Sequence, residues 1–280
     1  MQVSIIIPSL NRYQHLNSLL DGISRWPSQP DEIIIVDQTP FVMGPGNYPD
    51  LSDLQRHIQH VKVDFRGPCK ARNTGARLAH GDLLWFLDDD MAPHSEIDLV
   101  VYIREHFRRH PRTVLNGTFS SNPVAIEMKQ RFDMLRHLSQ NWNSFVTDYR
   151  MSLGIMSGNF VVAKDVFVAL GGFDERYDPN GAFEDRDLGL RCFYEGYLVL
   201  QSKSFHLPHI GASSGGRRQE PQPASTSYFW SKYMSEDNYY IQAFAYWLSR
   251  TRFSACRSLI RFFVRKILRI PPYVDMTSCG

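Results

Sequence analysis

Three consecutive carboxylates, Asp88, Asp89 and Asp90, close the apolar run "LLWFL" (Leu83 to Leu87), and the chain turns shortly afterwards at Pro93. Magnesium-like cations take oxygen ligands and typically bind through one or two carboxylates plus substrate phosphates. Asp88 and Asp90 stand two apart on an extended segment and so point the same way. One can then touch a metal while the other meets sugar or ribose hydroxyls. Three acids in a row can equally be a solvated turn, but their place at the tip of a buried strand favours the metal. A second acidic group, Glu184, Asp185 and Asp187, opens a helical stretch within "GGFDERYDPNGAFEDRDLGLR" (Gly171 to Arg191). Capping and the helix dipole account for one or two of these acids, and less well for the surrounding Gly171, Gly172 and Gly181. A carboxylate near a cation-held pyrophosphate can serve as general base on an acceptor hydroxyl.

The elements that must position these groups follow from hydrophobic patterning. "VSIIIP" (Val3 to Pro8) and "EIIIVD" (Glu32 to Asp37) are continuous apolar runs, as expected of strands buried on both faces. Between them Leu16, Leu19, Leu20 and Ile23 follow the helical i, i+3, i+4, i+7 spacing. This β-α-β unit implies a doubly wound sheet. "VKVDF" (Val61 to Phe65) is expected as a third strand, Lys70 to Gly81 as a short helix and "LLWFL" as a fourth strand. Ser95 and Asp98 form a capping pair for a helix running toward Arg109. Residues 112 to 150 are mixed. "GNFVVAK" and "YLVLQ" read as later strands, with "DLGLRCFYEG" on a helix between them. Ligands of such sheets bind outside the carboxyl ends of the strands, which brings Pro8, Ser9, Asp37, Arg66, Gly67 and the three aspartates to one rim.

At 280 residues and 43% hydrophobic content the chain is long enough for a large core, and its formal charge of +2 gives no reason to expect nucleic acid as a partner. Cys69, Cys192, Cys256 and Cys279 show no paired spacing, which argues against a zinc site or disulfide framework and fits a reducing compartment. The N-terminus lacks the pattern of a signal peptide, and no segment has the ~18 uninterrupted apolar residues of a spanning helix. A glycosylation-type tripeptide begins at Asn116, without other signs of secretion. Neither a dinucleotide fingerprint nor a P-loop occurs, and "GPGNYPD" at Gly44 is a turn-rich loop.

In their order, "VSIIIPSLNR", "EIIIVDQT", "ARNTGARLAHGDLLWFLDDD" and "GGFDERYDPNGAFEDRDLGLR" resemble the family 2 glycosyltransferases of GT-A fold, over about residues 1 to 215. The resemblance implies a doubly wound mixed sheet flanked by helices. It implies a metal-dependent, inverting transfer of sugar from a nucleotide-diphosphate donor, with Mn2+ or Mg2+ bridging the diphosphate. At the matching positions Asp37 contacts the nucleobase, with Pro8 and Ser9 beside the nucleoside, and Arg72 and Asn73 line the nucleotide site. Asp88 and Asp90 form the D-x-D pair, Asp90 as the direct metal ligand, and Asp88 and Asp89 face the donor. Asp185 matches the catalytic base. In "SFHLPHIGASSGGRR" His206 and His209 are both candidates for a late metal-side histidine. His206 is preferred, with Arg217 or Arg218 closing over the diphosphate. The second strand ends "VDQTP", where the family more often has a second acid or Asn followed by a small residue and serine.

Beyond an expected catalytic domain at 1–220, residues 221–280 form a basic helical extension. Between Tyr239 and Arg269 it carries seven basic residues, many aromatics and no acid. Such a segment suits an anionic membrane surface, or else packing on the catalytic domain or a second copy. The expected partners are a UDP-, GDP- or dTDP-linked sugar and a glycan or lipid-linked acceptor, in bacterial surface polysaccharide or glycoconjugate synthesis. The expected location is the cytoplasm or the inner face of the cell membrane. A nucleotidyltransferase would show a glycine-rich basic loop after the first strand, and "PSLNRYQH" is not one. A silent glycan- or membrane-binding protein on the same fold would not need Asp88, Asp90 and Asp185.

Overall fold

The computed structural model describes residues 1–40, 58–118, 148–152, 154–179 and 181–211, together with 224, 225, 228, 229 and 232. Its elements are β1 (Val3–Ser9), α1 (Tyr13–Ser24), β2 (Glu32–Asp37), β3 (Ile58–Lys62), α2 (Pro68–Leu78), β4 (Leu83–Leu87), α3 (Leu99–Arg109), β5 (Thr113–Thr118), β6 (Tyr149–Ser152), β7 (Asn159–Ala163), α4 (Lys164–Ala169), a 3-10 turn (Glu175–Tyr177), α5 (Glu184–Tyr194) and β8 (Leu198–His206). The eight strands form one sheet in the order β3-β2-β1-β4-β7-β5-β8-β6. β1, β2, β3 and β4 are mutually parallel, whereas β7 runs antiparallel to both β4 and β5, and β6 to β8. The sheet is therefore mixed.

Side chains alternate across a strand, and the alternation divides the apolar runs between two cores. Ile6, Ile34, Leu84 and Phe86 join Ala71 and Ala76 of α2, Val166 and Phe167 of α4 and Leu188 of α5. Val3, Ile5, Ile7, Ile33, Ile35, Leu83, Trp85 and Leu87 join Leu16, Leu19, Leu20 and Ile23 of α1 and Ile103 and Phe107 of α3. The result is a helix-sheet-helix sandwich in which every inner strand is covered twice. α2 approaches β1 so closely that a Cβ on Gly75 would lie 2.4 Å from Ile6 Cγ2. That contact places the helix bearing Arg72 directly over the strand ends.

Several boundaries differ from the expectation. The third strand is Ile58–Lys62, because its ladder starts at Ile33↔Ile58 and closes at Asp37↔Lys62. Val63 and Phe65 have already left the sheet and pack against the core. α2 begins at Pro68, two residues early. The cap of α3 is Asp98 alone, whose Oδ1 accepts the Val101 amide at 3.1 Å, while Ser95 Oγ accepts only the Ile97 amide. Asn116 is buried in β5 with its side chain hydrogen-bonded to Gly154 and Met156, so the glycosylation-type tripeptide is a strand interior. The loop at Gly44, most of the mixed middle section, Arg217, Arg218 and the 239–269 stretch lie outside the described residues. Among the described residues no helix is long and apolar enough to cross a membrane.

A buried polar network ties α3 to the far strands. Tyr102 OH donates to Asp148 at 2.6 Å, and the His106 ring nitrogens pair with Tyr149 OH and Thr113 Oγ1, each at 2.9 Å. Burial, with His110 alongside, pushes the His106 imidazole down to about 3. Between the unfolded value of roughly 6.5 and that depressed value the unfolded chain binds a proton that the folded chain does not, so stability falls as pH falls through this window. His106→Gln removes the titration. In urea unfolding the stability advantage of wild type over this variant should be largest near about pH 7.5 and shrink toward about pH 4.5. An advantage independent of pH would show that the imidazole is not buried neutral.

Candidate active site

The carboxylate triplet sits where β4 ends. Asp88 N–H donates to Gly158 O at 3.0 Å, and Met91 N–H returns to Asp88 O at 3.3 Å, closing a tight turn. The segment after β8 then runs antiparallel to the turn. Met91 bridges His209, Ala92 N–H donates to Pro208 O at 2.7 Å and Ile210 N–H to Asp90 O at 2.9 Å. This backbone pairing delivers His209 Nε2 to 3.1 Å from Asp90 Oδ1. Ligand-capable atoms of Asp88, Asp90 and His209 all lie within 4.8 Å of one another. Two hard oxygens and one imidazole fit a divalent cation such as manganese or magnesium, and no thiolate is present to favour a softer one.

Of the two candidate histidines, His209 and not His206 stands beside the acidic cluster. His206 is the last residue of β8, and its Nδ1 lies 2.9 Å from both the hydroxyl and the carbonyl of Thr118 in β5. That pairing closes the β5–β8 ladder and leaves His206 out of the acidic cluster. Asp89 also differs from its expected role facing the donor. It is buried, accepts from Ser9 Oγ at 2.7 Å and pairs with Arg12 at 2.9 Å. Burial pushes its carboxyl up to about 6, against the pull of Arg12 and Ser9. Arg12 reaches on to Asp90 Oδ2 at 3.2 Å. Asp89, Ser9 and Arg12 therefore anchor the turn, while Asp88 is part-exposed and Asp90 is buried between Arg12 and His209.

Asp37, expected against the nucleobase, is fully buried. It accepts from Tyr13 OH at 2.8 Å and from the Thr39 amide at 2.8 Å, and it meets His60 Nε2 at 3.0 Å and Lys62 Nζ at 3.1 Å. Burial opposes its ionisation, but the hydrogen bonds from His60, Thr39 and Tyr13 outweigh it and hold the carboxyl well below its usual range. Pro8 stays half-exposed at the end of β1.

Arg72 links the rim to the second acidic group. Its two terminal nitrogens meet Asp88 Oδ1 at 2.8 Å and Glu184 Oε1 at 3.4 Å, and the guanidinium lies 5.3 Å from the Phe173 ring centre. Burial lowers its pKa less than Asp88 and Glu184 raise it, so the charge is secure. Asn73, expected to line the nucleotide site, hydrogen-bonds the loop that follows the glycine turn. Its amide donates to Phe173 O at 2.8 Å and to Glu175 at 3.0 Å, and its oxygen accepts the Phe173 amide. It thereby clamps the turn made by Gly171 and Gly172, whose φ angles of +77° and +69° explain the glycines.

The remainder of that loop returns to α2. Asp178 accepts the amides of Cys69 and Lys70 at 3.0 and 2.9 Å and caps the helix from 109 residues away in sequence for Cys69. At the head of α5 the three acids separate by burial. Glu184 is buried on Arg72 and Ser157, and Asp187 is buried on Arg191 and Tyr177. Asp185 alone of the three is partly exposed, its carboxylate accepting the Arg186 amide at 2.8 Å. Arg12 was not expected from sequence, and His209 was the less favoured of two candidate histidines. Arg12 follows Asn11, whose φ of +56° turns the chain back over the rim, and His209 follows a proline that ends β8. Those two local signals were the available clues.

Residues 4–146 match the model of the family described as Glycosyl transferase family 2. A glucosyl-dolichyl phosphate glucuronosyltransferase from Haloferax volcanii is 24% identical over 224 residues, 75% of this chain and 69% of that protein. Among solved structures, a mannosyltransferase from Pyrobaculum calidifontis in complex with GDP-Man and Mn2+ aligns over 97% of this chain and 70% of its own, at 14% identity and a TM-score of 0.54. S. aureus TarS in complex with UDP-GlcNAc aligns over 96% and 73%, at 14% identity and a TM-score of 0.55. These structures share the architecture described above, the GT-A fold. With the family match extending over half its length and the acidic rim built on that sheet, the chain belongs to glycosyl transferase family 2 and is a glycosyltransferase.

Proposed function

We propose that this enzyme moves a sugar from a nucleoside-diphosphate donor to an acceptor hydroxyl by a single inverting displacement, with Mn2+ or Mg2+ held by Asp88, Asp90 and His209 and with Asp185 as base. The observation that carries the reading is the convergence of those three ligand groups at the carboxyl end of β4. When bound, the cation supplies Lewis-acid stabilisation of charge on the departing diphosphate. The chain's own residues do the rest. Ser9, Arg12 and Asp89 hold the turn rigid, and Arg72 keeps Asp88 aimed while tying it to the head of α5. Asp185 removes the acceptor hydroxyl proton as the acceptor oxygen bonds to the anomeric carbon. The bond from that carbon to the diphosphate breaks, and its electron pair leaves with the diphosphate. Glu184 is unsuited to the base role because Arg72 and Ser157 already occupy its buried carboxylate. The nucleoside lies across the ends of β1 and β2 beside Pro8.

A glycan or lipid-linked acceptor, made at the membrane during surface polysaccharide or glycoconjugate synthesis, is part of the same proposal. Its support is the basic, aromatic composition of 239–269, together with a relative whose name specifies a dolichyl phosphate-linked substrate.

The first test is thermal stabilisation by UDP-, GDP- and dTDP-sugars with and without Mn2+. One nucleotide class should stabilise the protein only with metal. The effect should be lost in Asp90→Ala, weakened in His209→Ala and retained in His206→Ala. Stabilisation that ignores metal, or that depends on His206, would overturn the assignment of the ligands.

The second test is turnover. Asp185→Asn should lower kcat by about 10²–10⁴-fold with metal-dependent donor stabilisation intact. The wild-type product should carry the anomeric configuration opposite to the donor's, read by NMR. Near-normal turnover in the variant would remove Asp185 from the mechanism.

A further inference from the structure

Four residues beyond the sheet pack against the loop and helix that carry the second acidic group. Phe229 is buried and stacks on Phe183, with ring centres 4.9 Å apart and planes within 26°. Phe183 holds φ at +70°, a left-handed conformation that residues with side chains adopt only when their surroundings enforce it. Its carbonyl accepts the Asp187 amide at 2.9 Å, the hydrogen bond that opens α5. One turn along, the buried Asp187 carboxylate meets Lys232 Nζ at 2.6 Å and Arg191 Nε at 2.8 Å. Lys232 is itself largely buried and reaches Asp174 at 2.8 Å, where Tyr228 OH also donates at 2.8 Å. Asp174 follows the Gly171–Gly172 turn, and Ser225 Oγ donates to Tyr177 O at 3.2 Å in the same loop. Asp185 therefore lies between two positions, Phe183 and Asp187, that are both gripped by side chains from residues 229 and 232.

We propose that Phe229 and Lys232 are positioning residues for the acceptor step, fixing the left-handed entry and first turn of α5 and so the aim of the Asp185 carboxylate. This inference rests on Asp185 being the base. The physical case has two parts. Without the Phe229 ring, the one ring or cation contact of Phe183 left among the described residues is the exposed Arg186 guanidinium, 5.0 Å from the ring centre, so the buried support of a disfavoured backbone is lost, and rotation there swings the next two side chains. Without the Lys232 ammonium, Asp174 and Asp187 keep their burial but lose a cation they share, which favours reopening of the loop. A carboxylate displaced by about an ångström still binds solvent and leaves the donor rim in place, yet it loses turnover steeply.

The test compares Phe229→Leu, which stays apolar but removes the ring, with Phe229→Tyr, which keeps it, and Lys232→Met with Lys232→Arg. Turnover is read as nucleoside diphosphate released from the UDP-, GDP- or dTDP-sugar that stabilises the wild type. Phe229→Leu and Lys232→Met should lower kcat about tenfold or more, with donor KM changed by less than about twofold. Phe229→Tyr and Lys232→Arg should recover most of the loss. Normal kcat in both disruptive variants, or kcat and donor KM worsening together, overturns the inference. Hydrogen exchange provides a readout that needs no donor: amides of 184–188 should exchange faster in Phe229→Leu while those of 83–91 do not, and equal protection in both segments also overturns it. Asp185→Asn in the same assay separates the two ideas. Its failure to slow turnover sinks the base assignment, whereas a slow Asp185→Asn beside a normal Phe229→Leu sinks only the positioning role.

Discussion

The guanidinium of Arg72 is a full charge inside the protein, and two acidic segments 96 residues apart, at Asp88 and Glu184, must converge to keep it there. Taking such a group out of water is costly, and the cost is offset only if geometry and partners are good. Here the partners are one carboxylate from each acidic segment, with the Phe173 ring against the flat face. Removing one partner of a buried pair typically costs about 3–5 kcal/mol, so Arg72 favours keeping the head of α5 close to the end of β4. The neighbouring Asn73 clamps Phe173, and Gly75, on the same helix, lets α2 settle on Ile6. One helix thus secures three things at once: the rim, the left-handed glycine turn and the entry to α5.

The same economy explains why three aspartates occur together when two suffice for a cation. A turn at the tip of a strand needs its own anchor, and Asp89 provides it by pointing inward to Ser9 and Arg12. Its burial is tolerable because Arg12 supplies charge and Ser9 a hydroxyl. Asp88 and Asp90 flank it in the tight turn, where Asp88 pairs with Arg72 and Asp90 with Arg12 and His209. The anchor and the ligands are therefore consequences of a single local geometry. The antiparallel bridge between Met91 and His209 brings the imidazole to the two aspartates without a helix or strand of its own.

What sequence revealed and what it hid divide along the range of the interaction involved. β1, α1, β2 and β4 were legible because burial on both faces, or on one helical stripe, writes itself into local patterning. β3 was placed too late because Val61–Phe65 looks more strand-like than "IQHVK". Its register is set by β2, and two of its side chains, His60 and Lys62, face Asp37. The start of α2 was hidden because its cap, Asp178, comes from another loop. β5 and β6 were missed because Asn116 and Gly117 interrupt one and the other is short. In the site, residue types announced the acidic rim and the acidic head of α5. The choice between His206 and His209 turned on where β8 stops, since a strand residue and a residue three positions beyond a proline-ended strand face different neighbours. For Asp37 the family pattern gives the position in sequence, but Tyr13, Thr39, His60 and Lys62, which sequence does not announce, are what its oxygens touch.

Charge balance at the rim constrains how a diphosphate can enter. Among the described residues, the carboxylates of Asp88, Asp89, Asp90 and Glu184 face the cationic groups Arg12 and Arg72, with His209 held toward its protonated form by its hydrogen bond to Asp90. Each arginine is already spent on carboxylates, so neither offers its charge freely to an incoming anion. A bare diphosphate would meet Asp88 and Asp90 at close range, where repulsion in a partly dehydrated cleft is stronger than in bulk water. A dication beside Asp88 and Asp90 would reverse that sign, and the imidazole of His209 would join it as a ligand only on giving up its proton. On the proposed reading, metal and donor would then depend on one another: the aspartates that repel phosphate alone would admit it with a cation.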